Sequence, residues 1–326
     1  MAEAIKIRGL VRRFGDVEAV AGIDCDVEKG EIFGFLGPNG AGKTTTISIL
    51  STLLDATEGS VIVNGFDVRT QRNQVRRSIG LVFQDPSLDD RLTAEENLLL
   101  HAKLYSVPRQ EYRPRMEEVL RLVELWDRRK DRVRTFSGGM KRRLEIARGL
   151  IHYPAVLVLD EPTIGLDPQT RAYLWEYILK LKHDRGMTIF MSTHYMDEAE
   201  YCDRIAIIDH GKIVAAGTPS ELKKQVGQNT ICITTSHGTE VKKQLEEEGA
   251  GAVTENDGVL ELRVPNAERS LPRLFDKLDS SLIDSIDLKR PTLDDVFLTL
   301  TGRAIREAEA SGRDQMRSSP RARSQH

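Results

Sequence analysis

The run Gly37-Pro38-Asn39-Gly40-Ala41-Gly42-Lys43-Thr44 constrains this chain more than any other stretch. It fits the pattern G-x-x-x-x-G-K-[ST]. Ahead of it, Glu31-Ile32-Phe33-Gly34-Phe35-Leu36 reads as a short apolar strand, and residues 44–54 after it read as a helix. A strand that leaves through a glycine-rich turn into a helix points backbone N–H groups inward. The helix start adds a fixed positive partial charge, and the two together cradle phosphate. Lys43 is placed to reach β- and γ-phosphates and the Thr44 hydroxyl to meet Mg²⁺, with Thr45 following on the helix. The expectation is an α/β protein that binds a nucleoside triphosphate with Mg²⁺.

Three further runs read as buried strands: Val156-Leu157-Val158-Leu159, Thr188-Ile189-Phe190-Met191 and Ile205-Ala206-Ile207-Ile208. Unbroken apolar runs suit strands covered on both faces, as in parallel sheets. Ligands of such sheets bind beyond the carboxyl ends of the strands. The first run delivers Asp160 and Glu161 there, just before Pro162. Asp160 is placed to hold Mg²⁺ through water, and Glu161 is the candidate base that polarises an attacking water. Between these elements, residues 86–152 read as mostly helical, with Thr93-Ala94-Glu95-Glu96 as a capping box ahead of a run to Tyr105.

The composition changes after residue 225. Residues 231–234 read as a strand, 240–248 as a charged helix, and Leu260-Glu261-Leu262-Arg263-Val264 as an alternating strand after a turn at Asn256-Asp257-Gly258. Residues 268–279 look helical, and a last helix spans 292–301, opened by Thr292 with Asp295 three later. A small α+β domain over 229–303 is expected, then a tail from 304 to 326 without Phe, Trp, Tyr, Leu or Val that should be disordered. With 47 Lys+Arg against 50 Asp+Glu, the chain lacks the cationic excess of a nucleic-acid binder. The clusters Lys141-Arg142-Arg143 and Arg128-Arg129-Lys130 read as solvated helix faces. Cys25, Cys202 and Cys232 lie too far apart in sequence for a zinc framework, and no apolar run reaches the length of a membrane-spanning helix.

The order of motifs resembles the ATP-binding subunits of ABC transporters over residues 4–225. The phosphate loop is followed by Gln84 in Val82-Phe83-Gln84, by Ser137-Gly138-Gly139, by Leu159-Asp160-Glu161-Pro162, by Gly165-Leu166-Asp167 and by Ser192-Thr193-His194. The resemblance implies a P-loop NTPase core with a mixed sheet and a helical subdomain at 86–152, using ATP and Mg²⁺. It implies that Ser137, Gly138 and Gly139 face the γ-phosphate of ATP held by a second copy, in a head-to-tail dimer with two ATP. Asp167 would order the contact between the two sites, His194 would touch the γ-phosphate, and Gln84 would bind Mg²⁺ and water. Phe14 stands where the family places the aromatic that stacks on adenine. Phe136 and Met140 flank the signature where Leu and Gln are commoner, which leaves the amide cradle untouched.

Phe136-Ser137-Gly138-Gly139-Met140-Lys141-Arg142-Arg143-Leu144, taken with Arg290-Pro291-Thr292-Leu293-Asp294-Asp295-Val296-Phe297, is similar to the daunorubicin-resistance-type exporter ATPases. That resemblance implies a peripheral subunit on the cytoplasmic side of the membrane, a separate ABC-2-type permease, and export of an amphiphile such as a drug, antibiotic or lipid. It implies no nucleic-acid partner. The alternative is a soluble ABC ATPase acting as a regulatory or ribosome-associated factor, which would usually carry two cores in tandem.

Overall fold

The computed structural model describes residues 3–84, 87–226, 229–247, 253–256, 259–264, 270–272, 274 and 282–302. The expected turn at 257–258, most of the expected helix at 268–279 and the tail at 304–326 lie outside the described residues. The chain divides into two compact units that meet between Pro219 and Ser220.

The first unit holds two sheets. One is antiparallel, in the order β2 (Val17–Glu28), β1 (Glu3–Phe14), β4 (Glu58–Val63), β5 (Phe66–Asp67). The other runs β10 (Lys212–Gly217), β9 (Arg204–Asp209), β3 (Ile32–Leu36), β8 (Thr188–Thr193), β7 (Val156–Asp160), β6 (Ile79–Val82). It is parallel from β6 to β9 and antiparallel only at the β9–β10 edge, so the sheet is mixed. Every residue of β3, β7 and β8 is buried, as their unbroken apolar runs require. Phe33, Phe35, Val156, Val158 and Phe190 share one core with Ile5, Ile7, Val61 and Val63 of the antiparallel sheet, and with Ile47 and Leu50 of α1 (Lys43–Leu50). Phe33 stacks on Phe190 with ring centroids 5.9 Å apart at its centre.

Three helices follow α2 (Arg72–Ser78) and β6: α3 (Ala94–Leu104), α4 (Tyr112–Leu122) and α5 (Gly138–Leu150). They pack on one another, and α5 lies against β6. The Thr93 hydroxyl accepts from the Glu96 amide while the Glu96 carboxylate accepts from the Thr93 amide, which fixes where α3 begins. The unit closes with α6 (Pro168–Arg185) and α7 (Met196–Ala199).

The second unit begins within α8 (Pro219–Val226) and carries an antiparallel sheet ordered β12 (Val253–Asn256), β13 (Val259–Val264), β11 (Asn229–Thr234), β14 (Ser285–Lys289). With α9 (Gly238–Glu247) between β11 and β12 and helical residues 270–272 between β13 and β14, its connectivity is that of a split βαβ unit. Ile231, Ile233, Val241, Leu245, Leu260 and Leu262 form a core of its own. Thr292 and Asp295 make a second capping box at the start of α10 (Leu293–Thr301). Because each unit buries its own apolar cluster, a chain ending at Gln225 is expected to melt cooperatively and still bind ATP, as checked by calorimetry and nucleotide titration.

Candidate functional site: a phosphate loop at the edge of a parallel sheet

The phosphate loop leaves β3 at Gly37 and enters α1 at Lys43. Two of its glycines are dictated by their surroundings. A Cβ on Gly37 would stand 2.3 Å from the Ile208 carbonyl oxygen, and one on Gly42 would stand 2.5 Å from that of Ala19. Gly42 also has φ +108°, in the left-handed range that side chains resist. The close approach of Gly42 to Ala19 sets the β1–β2 hairpin beside the loop. Phe14 closes that hairpin, 40 % exposed, with the Arg12 guanidinium 4.4 Å from its ring centroid.

Lys43 is buried, and its ammonium donates to the carbonyls of Gly37 (2.7 Å) and Pro38 (3.0 Å). It also pairs with Glu161 Oε1 at 3.1 Å. The other Glu161 oxygen lies 3.2 Å from His194 Nδ1, so the Glu161 carboxylate sits between the Lys43 ammonium and the His194 ring. Glu161 has φ +46°, a left-handed conformation rare for a residue with a side chain and a mark of functional sites. Its amide donates to both the carbonyl (3.2 Å) and the hydroxyl (3.1 Å) of Ser192, which holds this strained turn in place.

The neighbouring carboxylate sits differently. Asp160 Oδ1 accepts from the Ser192 hydroxyl at 2.5 Å and from the Thr44 hydroxyl at 3.4 Å. Burial dominates and raises its pKa above the ordinary aspartate value, with the two hydroxyls opposing that shift. At Glu161 burial pushes the same way, but the His194 hydrogen bond and the Lys43 charge outweigh it, and the pKa falls below the usual range. A buried carboxylate beside a hydroxyl is a hard oxygen pair suited to Mg²⁺. Among the described residues no group of three or more His, Cys, Asp or Glu converges on a metal position. Thr44 and Asp160 could hold such a cation, with phosphate oxygens and water to complete its shell.

Gln84 is exposed two residues beyond the end of β6, whose last residue, Val82, is in register with Leu159 of β7. Ser137, Gly138 and Gly139 open α5, with the Ser137 hydroxyl accepting from the Met140 amide at 3.2 Å. They lie beside α6, where a Cβ on Gly139 would meet Thr170 Cγ2 at 2.4 Å. Asp167 caps α6 by accepting from the Thr170 amide (3.0 Å) and hydroxyl (2.6 Å), and these bonds lower its pKa.

Several supporting residues escaped the sequence reading. Glu198, fully buried, accepts from the hydroxyls of Thr163 and Thr193 and braces the segments that carry Glu161 and His194. Arg142 is a correction: expected on a solvated face, it is 7 % exposed. Its partners are mostly backbone carbonyls, which carry no sequence signature; the only hint was Glu145 three residues later.

Fold and site together define a P-loop ATPase of the ATP-binding cassette type. Residues 20–164 match the family model described as ABC transporter, and residues 217–301 match the C-terminal domain of DrrA1-3-like ATP-binding proteins. The chain is 37 % identical over 311 residues to the linearmycin resistance ATP-binding protein LnrL of Bacillus subtilis, spanning 93 % of this chain and 100 % of that one. It is 38 % identical over 307 residues to the daunorubicin/doxorubicin resistance ATP-binding protein DrrA of Streptomyces peucetius, spanning 92 % of each. Among solved structures it resembles cbiO1 of Clostridium perfringens, part of the transporter complex cbiONQ, with TM-score 0.64 and 26 % identity, over 76 % of this chain and 96 % of that one. It also resembles the ATP-binding cassette MJ0796, solved as a dimer bound to ADP and Pi, with TM-score 0.60 and 28 % identity, over 66 % and 98 %. The chain belongs to the DrrA-like ATP-binding proteins of ABC transporters, and it binds and hydrolyses ATP.

Two variants test the site. Lys43→Ala removes the cation aimed across the loop and is expected to abolish tight MgATP binding; unchanged affinity in a nucleotide titration would refute the assignment. Glu161→Gln is nearly isosteric and should keep ATP binding while lowering hydrolysis by about 10²–10⁴-fold, the range for loss of a positioned general base. Steady-state phosphate release beside the titration measures both.

Proposed function

We propose that this chain is the energy-supplying subunit of an exporter for an amphiphilic compound such as a drug, an antibiotic or a lipid. It works from the cytoplasmic face of the membrane against a separately encoded permease of the ABC-2 type. The observation that carries this reading is the near full-length match, through the C-terminal domain as well as the ATPase core, to proteins named for resistance to linearmycin and to daunorubicin or doxorubicin. A soluble regulatory or ribosome-associated factor has no such support. Among the described residues no helix is long and apolar enough to cross a membrane.

In this reading two copies pair head to tail, and each ATP lies between the Lys43 loop of one copy and Ser137-Gly138-Gly139 of the other. The start of α5 offers its amides to the γ-phosphate, where the helix dipole favours negative charge. Phe14 stacks on adenine, Asp167 orders the contact between sites, and Thr44, Asp160 and Gln84 hold Mg²⁺. Glu161 polarises the attacking water, and its low pKa keeps it ionised and able to accept a proton. His194, against Glu161, senses the γ-phosphate.

Sedimentation tests the pairing. A Glu161→Gln chain is expected to dimerise with MgATP and to stay monomeric with ADP, because only ATP supplies the γ-phosphate that bridges the copies. A monomer with ATP, both alone and with the permease present, would overturn it. For the exporter reading, the chain should co-purify with a multispan membrane protein from its own cell, and deletion of either gene should raise cellular retention of the same amphiphile.

A further inference from the structure

We infer that Arg142 and Glu145 form a positioning clamp through which the signature helix α5 holds the chain's own hydrolytic groups in register. The inference rests on the site roles proposed above and adds to them a connection inside one chain.

Arg142 lies within two turns of Ser137, on the helix that Ser137 caps. Its planar guanidinium reaches two otherwise separate segments. Toward the strand end it donates from Nε to the Pro162 carbonyl (2.7 Å) and from Nη2 to those of Asp160 (3.2 Å) and Glu161 (3.3 Å). Toward Gln84 it donates from Nη1 to the Phe83 carbonyl, one residue before that glutamine. Glu145 receives the same Nη1 at 3.0 Å, and its other oxygen accepts from the Ser87 amide at 2.8 Å. Arg148 adds a bond to the Ser87 carbonyl at 2.6 Å. The segment bearing Gln84 is thus held on both flanks by α5, and the backbone of Glu161 is held by the same arginine.

Both members of the pair are buried, at 7 % and 1 % exposure. Three of the arginine's acceptors are consecutive carbonyls of the strand end that bears the two carboxylates. Only a five-donor planar fork spans such a set; a lysine ammonium is a single nitrogen that cannot. When Ser137 engages the nucleotide of the other copy, any shift of α5 moves Gln84 and Glu161 together. Hydrolysis in one site is thereby registered to closure of the other.

The test uses the full chain with Arg142→Lys and, separately, Glu145→Gln, measuring ATP affinity, turnover at saturating MgATP and thermal stability, with Glu161→Gln in parallel. For Arg142→Lys, ATP Kd should stay within about threefold of the unaltered chain while turnover drops on the order of 10²-fold, the scale of a small misplacement of reacting groups. Glu145→Gln keeps the acceptor for Ser87 and should lose less turnover, again at unchanged Kd. Amide exchange of residues 80–90 and 156–164 should rise in Arg142→Lys with ATP bound. Unchanged turnover in folded Arg142→Lys would overturn the clamp, and so would parallel loss of affinity, stability and turnover, which marks a purely structural pair. If Arg142→Lys does not fold, Glu145→Gln decides: turnover equal to the unaltered chain refutes the clamp, and reduced turnover at unchanged Kd supports it. An inactive Glu161→Gln beside an active Arg142→Lys defeats the clamp alone; a fully active Glu161→Gln defeats the site reading and the clamp with it.

Discussion

The parallel pairing of β3, β8 and β7 decides where the phosphate loop, Asp160, Glu161 and His194 stand. Leu36 is registered with Thr193, and Asp160 with Ser192, so the phosphate loop, the two carboxylates and His194 leave the sheet at one edge. A slip of one residue would turn Asp160 away from Thr44 and exchange the environments of the two acids. The packing of Phe33, Phe35 and Phe190 beneath that edge makes such a slip costly, because each ring would face a neighbour of the wrong shape. The site is therefore a consequence of core packing before it is a matter of polar contacts.

At that edge two adjacent carboxylates are driven in opposite directions. Glu161 shares its charge with Lys43 and His194 and is held ionised, whereas Asp160 has hydroxyl partners and is pushed toward neutrality by burial. Environments that separate the pKa values of neighbouring acids mark a division of labour. In the proposed mechanism the ionised group accepts the proton and the other meets the divalent cation. The sign for stability follows: with its folded pKa depressed, Glu161 contributes stability above its ordinary value of 4.5, and that contribution is lost as the pH falls through the lower folded value.

Much of this was legible in the sequence, and the reasons are local. Val156-Leu157-Val158-Leu159 and its counterparts announce buried strands because nothing polar interrupts them, and Thr93 and Thr292 mark helix starts because capping chemistry is confined to neighbouring residues. In the antiparallel sheet, β1 alternates cleanly only at Ile5-Lys6-Ile7-Arg8. Beyond that, register shifts in β1 break the two-residue alternation, and Arg12 and Arg13 sit where a strand pattern would show apolar residues. Arg142 was missed for a different reason. Flanked by Lys141 and Arg143 it resembles a surface cation, and only the fold brings the carbonyls of Phe83 and of residues 160–162 to its guanidinium.

The central claim is that each nucleotide is enclosed by the Lys43 loop of one chain and the Ser137 helix start of another. Mixing two inactive variants, Lys43→Ala and Ser137→Arg, tests it directly. Across two chains, the intact loop of the Ser137→Arg copy meets the intact signature of the Lys43→Ala copy. The mixture is expected to regain ATP hydrolysis that neither variant has alone. A mixture as inactive as its components, under conditions where unaltered chains dimerise and hydrolyse ATP, would contradict the account.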